Sequence, residues 1–239
     1  MCYKCYWPEP LCWCGSITPM PTRTKFVILM HPYEFKRIKA NTGRLTHLCL
    51  ADSEVHIGIE FDGHEAVQAL INDPKNYPVL LYPGKDALDL STAGAQQLTT
   101  LNQQLESRRL VVFLLDATWR LVRPMLRLSP SLQRLPRVMF SNAAPSRYVI
   151  KRQPEPGCLS TLEATHELLL ALDRSGLDRY AMPEQLLEVF QRMQDIQIKH
   201  TAENKRLGIS RYDRRARPAG QPPVPRAASK RRRIFPKIS

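Results

Sequence analysis

The chain has 239 residues, of which 43% are hydrophobic, so it can bury a substantial core and wholesale disorder is excluded. Its 35 Lys and Arg residues outnumber 22 Asp and Glu residues, and the net charge of +13 favours a polyanionic partner such as nucleic acid over a small molecule alone. No stretch approaches the ~20 apolar residues of a membrane-spanning helix, and the first residues lack the order of a secretory signal. These features predict a cytoplasmic protein without a membrane partner.

Residues 1–24 are predicted to form a cysteine-rich segment that binds zinc. The pattern C-x2-C-x6-C-x-C supplies four thiols within thirteen residues, from Cys2, Cys5, Cys12 and Cys14. A closed tetrahedral zinc site needs four such ligands, and clustered thiols in a reducing compartment usually bind metal. An arm of unliganded thiols and a redox pair are the alternatives. Cys49 and Cys158 lie far from this cluster in the sequence, and we interpret them as buried small residues.

Residues 25–210 are predicted to form one α/β domain, because strand-like and helix-like stretches alternate. The predicted strands are 26–31, 48–51, 55–59, 78–82, 110–115 and 138–140. The predicted helices are 65–72, 96–108, 118–128, 161–175 and 183–205. The longest strand run is apolar on both faces, which predicts a buried, largely parallel sheet flanked by helices. Ser160 and Glu163 predict a capping box at the start of the fourth helix, and Gly176 predicts its end.

Residues 211–239 differ in composition from the rest, being rich in Pro, Arg and Lys. Ten Arg or Lys residues and a single acid, Asp213, lie in this stretch, so +9 of the net +13 belongs to it. We predict a disordered basic tail that adds salt-sensitive, sequence-independent affinity for RNA.

Asp116 and Trp119 are the first candidates for an active site. Asp116 directly follows the most hydrophobic strand, and Trp119 comes three residues later. Ligands of open α/β sheets bind at the carboxyl ends of strands, where an Asp can act as a base and a Trp offers a stacking surface. The alternative is that Asp116 caps the following helix and Trp119 packs into the core.

Other polar motifs also end strands or open helices, and in this order the motifs resemble those of the bacterial DTW-domain proteins. They are the cysteine cluster with Ser16-Ile17-Thr18-Pro19, His31-Pro32-Tyr33-Glu34, Asn41-Thr42-Gly43-Arg44-Leu45, Tyr82-Pro83-Gly84, Leu115-Asp116-Ala117-Thr118-Trp119 and Leu159-Ser160-Thr161-Leu162-Glu163-Ala164. The match spans residues 2–164, and Ala117 in the middle of the Asp-x-Thr-Trp motif is a small departure. Family members are tRNA-uridine aminocarboxypropyltransferases, related in fold to the knotted SPOUT methyltransferases. The resemblance implies that 25–210 is a SPOUT-like catalytic domain, in which a trefoil knot can occur.

The resemblance also implies the reaction and the roles of individual residues. The chain would transfer a 3-amino-3-carboxypropyl group from S-adenosylmethionine to N3 of a tRNA uridine. Asp116 would act as the base or position the acceptor, and Trp119 would stack on the uracil or shield the donor. The implied donor-pocket residues are Tyr82, Pro83, Gly84, Leu115, Thr118, Ser160, Thr161 and Glu163. The expected RNA-binding residues are Arg44, Arg147 and Arg152, with the donor's carboxylate as an alternative partner for Arg44.

Two other functions stay open at this stage. A SPOUT-type RNA methyltransferase would share the fold, the donor and the charge, but it would release S-adenosylhomocysteine instead of methylthioadenosine. A non-catalytic zinc-ribbon RNA-binding protein would consume no donor.

Overall fold

Six strands form one sheet, and all of its neighbouring strands run parallel. The strands are β1 (Lys25–Met30), β2 (Ser53–Ile57), β3 (Asn76–Leu81), β4 (Leu88–Asp89), β5 (Arg109–Asp116) and β6 (Arg137–Met139). Their order across the sheet is β2-β1-β5-β3-β6-β4. The predicted α/β fold with a parallel sheet flanked by helices is confirmed, whereas the trefoil knot stays a prediction.

Eight α-helices belong to the described part of the chain, which in this computed structural model comprises residues 1–141, 143–150 and 158–207. They are α1 (Pro32–Arg37), α2 (Thr42–Cys49), α3 (Glu65–Asn72), α4 (Ala95–Leu105), α5 (Trp119–Arg127), α6 (Pro130–Gln133), α7 (Thr161–Arg174) and α8 (Pro183–Arg206). Among these helices, none combines the length and the apolar character needed to cross a membrane. Met1–Lys199 form one compact unit. The predicted basic tail, 211–239, lies outside the described residues.

The side chains of β1 and β5 alternate between two hydrophobic cores, one on each face of the sheet. Ile28 and Leu114 belong to the larger of the two, the main hydrophobic core, which also contains buried residues of α2, α7 and α8. Val27 and Phe113 belong to the other core, with buried residues of α3, α5 and α6. Because both faces are covered, the central strands need an unbroken apolar sequence, and burial of each large side chain stabilises the fold by about 1.5–3 kcal/mol.

The strand predicted at 48–51 is wrong, because α2 occupies the start of that segment and Leu50 forms only an isolated bridge with Met20. This helix begins where the side chain of Asn41 accepts a hydrogen bond from the N–H of Arg44, which would otherwise lack a partner in the first turn. The elements α1, α6 and β4 are too short for their periodicity to reveal them in the sequence.

The predicted start and end of α7 are confirmed. The Ser160 side chain accepts a hydrogen bond from the N–H of Glu163, and the Glu163 carboxylate accepts one from the N–H of Ser160. Gly176 follows the helix with a φ of +73°, a left-handed conformation that glycine adopts at little cost. The capping box fixes where the helix starts, and therefore fixes Thr161, its first residue.

The chain changes direction across the sheet between the neighbouring strands β1 and β5. The chain leaves β1 toward β2 and leaves β5 toward β6, which lies on the opposite side in the strand order. Open α/β sheets form a ligand-binding crevice at the carboxyl ends of strands beside such a change of direction.

Candidate active site

A cavity of about 290 Å³ lies at the carboxyl ends of β3, β5 and β6 and against the start of α7. Its walls are mostly apolar, as is usual for small-molecule sites. The lining residues are Leu81, Tyr82, Pro83, Leu114, Leu115, Ala117, Trp119, Val122, Met139, Phe140, Cys158, Leu159, Thr161 and Ala164. The cavity therefore brings together four segments that are remote in the sequence.

Two aromatic side chains form one wall of this cavity. The ring centroids of Tyr82 and Trp119 lie 6.0 Å apart, with their planes inclined at 58°. Trp119 is 42% exposed, so it does not pack into the core as the alternative interpretation held. The guanidinium of Arg137 lies 5.4 Å from the centre of the Tyr82 ring. The three side chains together offer π-faces and a positive charge beside the cavity.

Asp116 lies behind the cavity wall in a buried hydrogen-bond network. Its side chain is only 4% exposed, and each carboxylate oxygen accepts a hydrogen bond. One oxygen accepts from the side-chain amide of Asn41 at 2.8 Å, and the other accepts from the hydroxyl of Thr161 at 2.6 Å. The carboxylate therefore binds groups from two helix starts and does not cap α5, whose N-cap residue is Thr118.

Thr161 connects this buried carboxylate to the cavity. Its side chain lines the cavity, and its hydroxyl donates its one proton to Asp116. Only the lone pairs of the hydroxyl oxygen are then left for a ligand. Thr161 therefore lies between the cavity and the buried carboxylate, which its hydroxyl contacts directly.

Gly43 allows the start of α2 to approach this carboxylate closely. A Cβ atom at this position would lie 2.5 Å from Cγ of Asp116 and within 2.8 Å of both carboxylate oxygens. Real Cβ atoms do not come so near, so the position requires glycine for the present packing. This close approach accounts for a glycine in the first turn of a helix, where the residue would otherwise be unfavourable.

Glu163 does not line the cavity, and its carboxylate is engaged elsewhere. It is 4% exposed and accepts hydrogen bonds from the hydroxyls of Ser146 and Ser160 and from the N–H groups of Ser160 and Arg147. These bonds attach the segment around residue 146 to the start of α7. Within that segment, burial and the nearby carboxylates raise the pKa of Tyr148 to about 12, so its hydroxyl stays protonated and donates to a backbone carbonyl.

The three arginines predicted to bind RNA have different surroundings. Arg44 is 5% exposed, and its guanidinium lies 4.5 Å from the centre of the Tyr6 ring and 5.2 Å from that of Phe35. Burial lowers the pKa of Arg44, and its position does not favour the predicted RNA contact. The side chain of Arg147 is exposed, as an RNA contact requires. Arg152 lies outside the described residues.

The four cysteines of the first segment lie together. All four Sγ atoms fall within 4.8 Å of one another, with 3.8 Å between Cys2 and Cys14 and 3.7 Å between Cys5 and Cys12. Tetrahedral zinc with sulfurs at ~2.3 Å would separate those sulfurs by about 3.8 Å, so the group has the spacing of a metal site. Hydrogen bonds from the backbone N–H groups of Cys5 and Lys4 lower the pKa of the Cys2 thiol to about 6, whereas burial raises the pKa of Cys5 and Cys14.

Sequence reasoning found part of this arrangement. Of the residues predicted for the donor pocket, the structure brings Tyr82, Pro83, Leu115 and Thr161 to this cavity, together with Trp119, whereas Gly84, Thr118, Ser160 and Glu163 do not line it; that the cavity binds the donor stays a prediction. Cys158, interpreted from the sequence as buried, also lines the cavity and is partly exposed, whereas Cys49 is buried as expected. The contact of Asn41 with Asp116 was missed, because the sequence indicates only that Asn41 can cap a helix and not what its amide contacts.

Comparisons with known proteins agree with the motif resemblance. A family model described as "DTW domain" matches residues 1–198. Similar curated proteins include "tRNA-uridine aminocarboxypropyltransferase 2" of Drosophila melanogaster, 32% identical over 72% of this chain and 66% of that protein, and its mouse namesake, 28% identical over 84% and 65%. "tRNA-uridine aminocarboxypropyltransferase A" of Arabidopsis thaliana is 25% identical over 84% of this chain and 81% of that protein.

The chain spans slightly less than two-thirds of the length of the fly and mouse relatives. These relatives are eukaryotic, so the likeness is not confined to the bacterial proteins to which the motifs were compared. No solved structure matches the chain. Because the family model covers most of the sequence, from the cysteine cluster to α8, the chain belongs to the DTW-domain family.

Proposed function

We propose that this chain transfers the 3-amino-3-carboxypropyl group of S-adenosylmethionine to N3 of a tRNA uridine and releases methylthioadenosine. The observation that carries the proposal is the pair of Thr161 and Asp116, a residue of the cavity wall and the buried carboxylate to which its hydroxyl donates. The names of the curated relatives supply the reaction class. Such a pair suits the removal of the N3 proton, without which that nitrogen is a poor nucleophile.

The side chains that line the cavity are chemically suited to bind S-adenosylmethionine. Apolar side chains such as Leu81, Met139 and Phe140 offer a surface for a purine ring, and Tyr82 and Trp119 offer π-faces that attract a sulfonium cation. When bound, S-adenosylmethionine supplies a methylene carbon activated by its sulfonium group. The residues of the chain therefore have to orient two substrates and accept one proton.

We infer a path for that proton. Uracil N3–H is a hydrogen-bond donor, and Thr161 offers the matching acceptor because its own proton already points at Asp116. As the bond from N3 to the methylene carbon forms and the carbon–sulfur bond breaks, the N3 proton passes to the Thr161 oxygen and the Thr161 proton passes to Asp116. The electron pair of the broken bond leaves on the sulfur of methylthioadenosine, so atoms and charges balance.

The uridine has to be unpaired when it reacts. N3 lies on the base-pairing edge, and a paired uracil cannot bring it to the Thr161 hydroxyl. The exposed ring of Trp119 offers a stacking surface for a base that has left its helix. We propose tRNA as the partner and the cytoplasm as the compartment, in keeping with the net charge of +13.

We propose that the four cysteines bind one structural zinc ion. Four thiol donors within 4.8 Å of one another match the number and type of ligands that closed zinc sites use. Zinc there would supply a cross-link between two parts of the first segment and would take no part in the transfer. Trp7 and Trp13 pack into the main hydrophobic core, so such a cross-link would also stabilise the domain.

Analysis of the products tests the proposed reaction. The purified chain, incubated with unmodified tRNA and S-adenosylmethionine, should yield aminocarboxypropyl-uridine and methylthioadenosine in equal amounts, measured by mass spectrometry of the digested nucleosides and of the small molecules. Appearance of S-adenosylhomocysteine would instead identify a methyltransferase. Intact donor in the presence of bound tRNA would identify a non-catalytic RNA-binding protein.

A further inference from the structure

Three arginines lie along the exposed side of α5, the helix that begins at Trp119. We call Arg120, Arg123 and Arg127, all of them exposed, the arginine stripe. The stripe starts one residue from the aromatic wall of the cavity. It is not among the sites predicted from the sequence, and the proposed chemistry does not use it.

Helical geometry puts the stripe and Trp119 on the same side of the helix. At about 100° per residue, Trp119 and the three arginines fall within a sector of about 100°. Val122 and Met125, the buried residues of this helix, fall on the other side and hold it against the sheet. The stripe is therefore continuous with the tryptophan beside the cavity.

The stripe is not neutralised by the fold. Among the residues that the structure describes, no carboxylate forms an ion pair with any of its three arginines. Other basic side chains do have such partners: Lys25 and Arg109 both pair with Asp52. The helix itself contains no acidic residue. Three exposed guanidinium groups on one surface make a local field that attracts an anion with several charges.

The spacing of the stripe fits a nucleic acid strand. Arg127 lies seven positions after Arg120, which corresponds to about 10 Å along the helix. Phosphates follow one another about every 3.4 Å along the axis of a DNA duplex and lie farther apart along an unpaired strand, so the stripe spans about two to three consecutive phosphates. Guanidinium groups bind phosphate oxygens through two parallel hydrogen bonds, which gives direction as well as charge.

We propose that the arginine stripe binds consecutive phosphates of the RNA strand next to the target uridine, and that this contact leads the uridine past Trp119 to the cavity. The proposal rests on the proposed function only in naming tRNA as the nucleic acid. It assigns the main phosphate contact to α5 instead of to the three arginines predicted from the sequence.

A pair of matched triple variants tests this proposal. In the first, Arg120, Arg123 and Arg127 are changed to Gln. In the second, the control, Arg174, Arg179 and Arg192 are changed to Gln; these are exposed residues of α7, the following loop and α8. Each variant lowers the net charge of +13 by three, so a difference between them reports position and not total charge.

The measurement is the dissociation constant of an unmodified tRNA transcript over a series of salt concentrations, without donor. Loss of three phosphate contacts should reduce the slope of log Kd against log salt by about 2–3 and weaken binding roughly tenfold or more near physiological salt. The control variant should keep nearly the full slope. In transfer assays, the stripe variant should raise KM for tRNA more than it lowers kcat.

Equal slopes for the two triple variants would overturn the proposal, because the stripe would then act only through total charge. An unchanged slope in the stripe variant would also overturn the proposal. The arginine stripe would then more readily serve an acidic protein as its partner. Neither result depends on the transfer reaction. Absence of transfer by the unaltered chain would instead count against the proposed function and leave the comparison of slopes valid.

Discussion

The cysteine cluster and the cavity are held in place by different forces. Cys5 and the indoles of Trp7 and Trp13 are buried in the main hydrophobic core, so the surroundings of the cluster are apolar. The position of Asp116 behind the cavity instead depends on hydrogen bonds from Asn41 and Thr161. Removing part of the first region should therefore cost mainly stability, whereas removing a hydrogen-bonding group from the second should cost mainly chemistry.

The start of α2 joins these two regions physically. The guanidinium of Arg44 lies over the ring of Tyr6 in the cysteine-rich segment, and Asn41, three residues earlier, holds Asp116. The two regions also share the main hydrophobic core, to which Trp13 and Leu114 both belong, so the start of α2 is one of two connections between them. Measuring both the transfer rate and the stability of variants in each region therefore shows how independent the two regions are.

The largest effect is expected in the second region, for Asp116→Asn. This change keeps the size of the side chain and removes its ability to take up a proton, so transfer should fall by roughly 10²–10⁴-fold. Binding of S-adenosylmethionine should persist, because the carboxylate does not line the cavity. Single-turnover transfer and calorimetric donor binding measure the two quantities.

Thr161→Val should share the loss of transfer, because it removes the hydroxyl between the cavity and the carboxylate, and Thr161→Ser should restore most of it. Asp195→Asn, on the exposed side of α8, serves as the control and should transfer at the rate of the unaltered chain. Full activity of Asp116→Asn would return Asp116 to a purely structural role between β5 and α2.

A smaller effect, on stability, is expected for Cys12→Ser in the first region. The purified chain should contain about one zinc ion, and this variant should contain little, because three thiols hold zinc less well than four. The free energy of unfolding should fall by more than the ~0.5–3 kcal/mol of most single substitutions, because loss of a structural metal is among the few changes with large effects. Metal analysis and denaturant unfolding check these outcomes.

Cys49→Ser provides the matched control for metal content. Cys49 is buried in the main core, away from the cluster, so this variant should keep its zinc even if the new hydroxyl lowers stability. Absence of metal from the unaltered chain after reducing purification would refute the zinc site.

The smallest effect is expected for Glu163→Gln, a change in the capping box of α7. Gln presents an amide N–H₂ to a site where Ser146, Ser160 and Arg147 all donate, so at least one buried donor loses its partner. The free energy of unfolding should fall by about 1.5–3 kcal/mol. Glu167→Gln, one turn further along α7, should change it far less, and thermal unfolding of both variants checks the difference. An equal loss in both would mean that the capping box contributes nothing particular.

The sequence predicted the cysteine cluster well because its ligands are neighbours in the chain, so spacing alone brings them together. It also predicted the parallel sheet, since the apolar run of β5 is typical of a strand buried on both faces. It could not predict that Asn41 and Thr161 meet at Asp116, because their contact depends on how three elements pack. Glu163 was predicted to line the donor pocket, but its carboxylate accepts a hydrogen bond in the capping box of α7. The sequence does not separate these roles, because a Glu at this position can serve either one.

The most direct test of the separation between the two regions compares the transfer rates of Asp116→Asn and Cys12→Ser in single-turnover experiments, each corrected for the folded fraction of the sample. The hydrogen-bond network predicts that Asp116→Asn stays folded and loses transfer by roughly 10²–10⁴-fold. It predicts that folded Cys12→Ser molecules stay within about tenfold of the unaltered rate. A folded Cys12→Ser variant as inactive as Asp116→Asn would contradict the account, because the cluster would then act in the chemistry and not through stability.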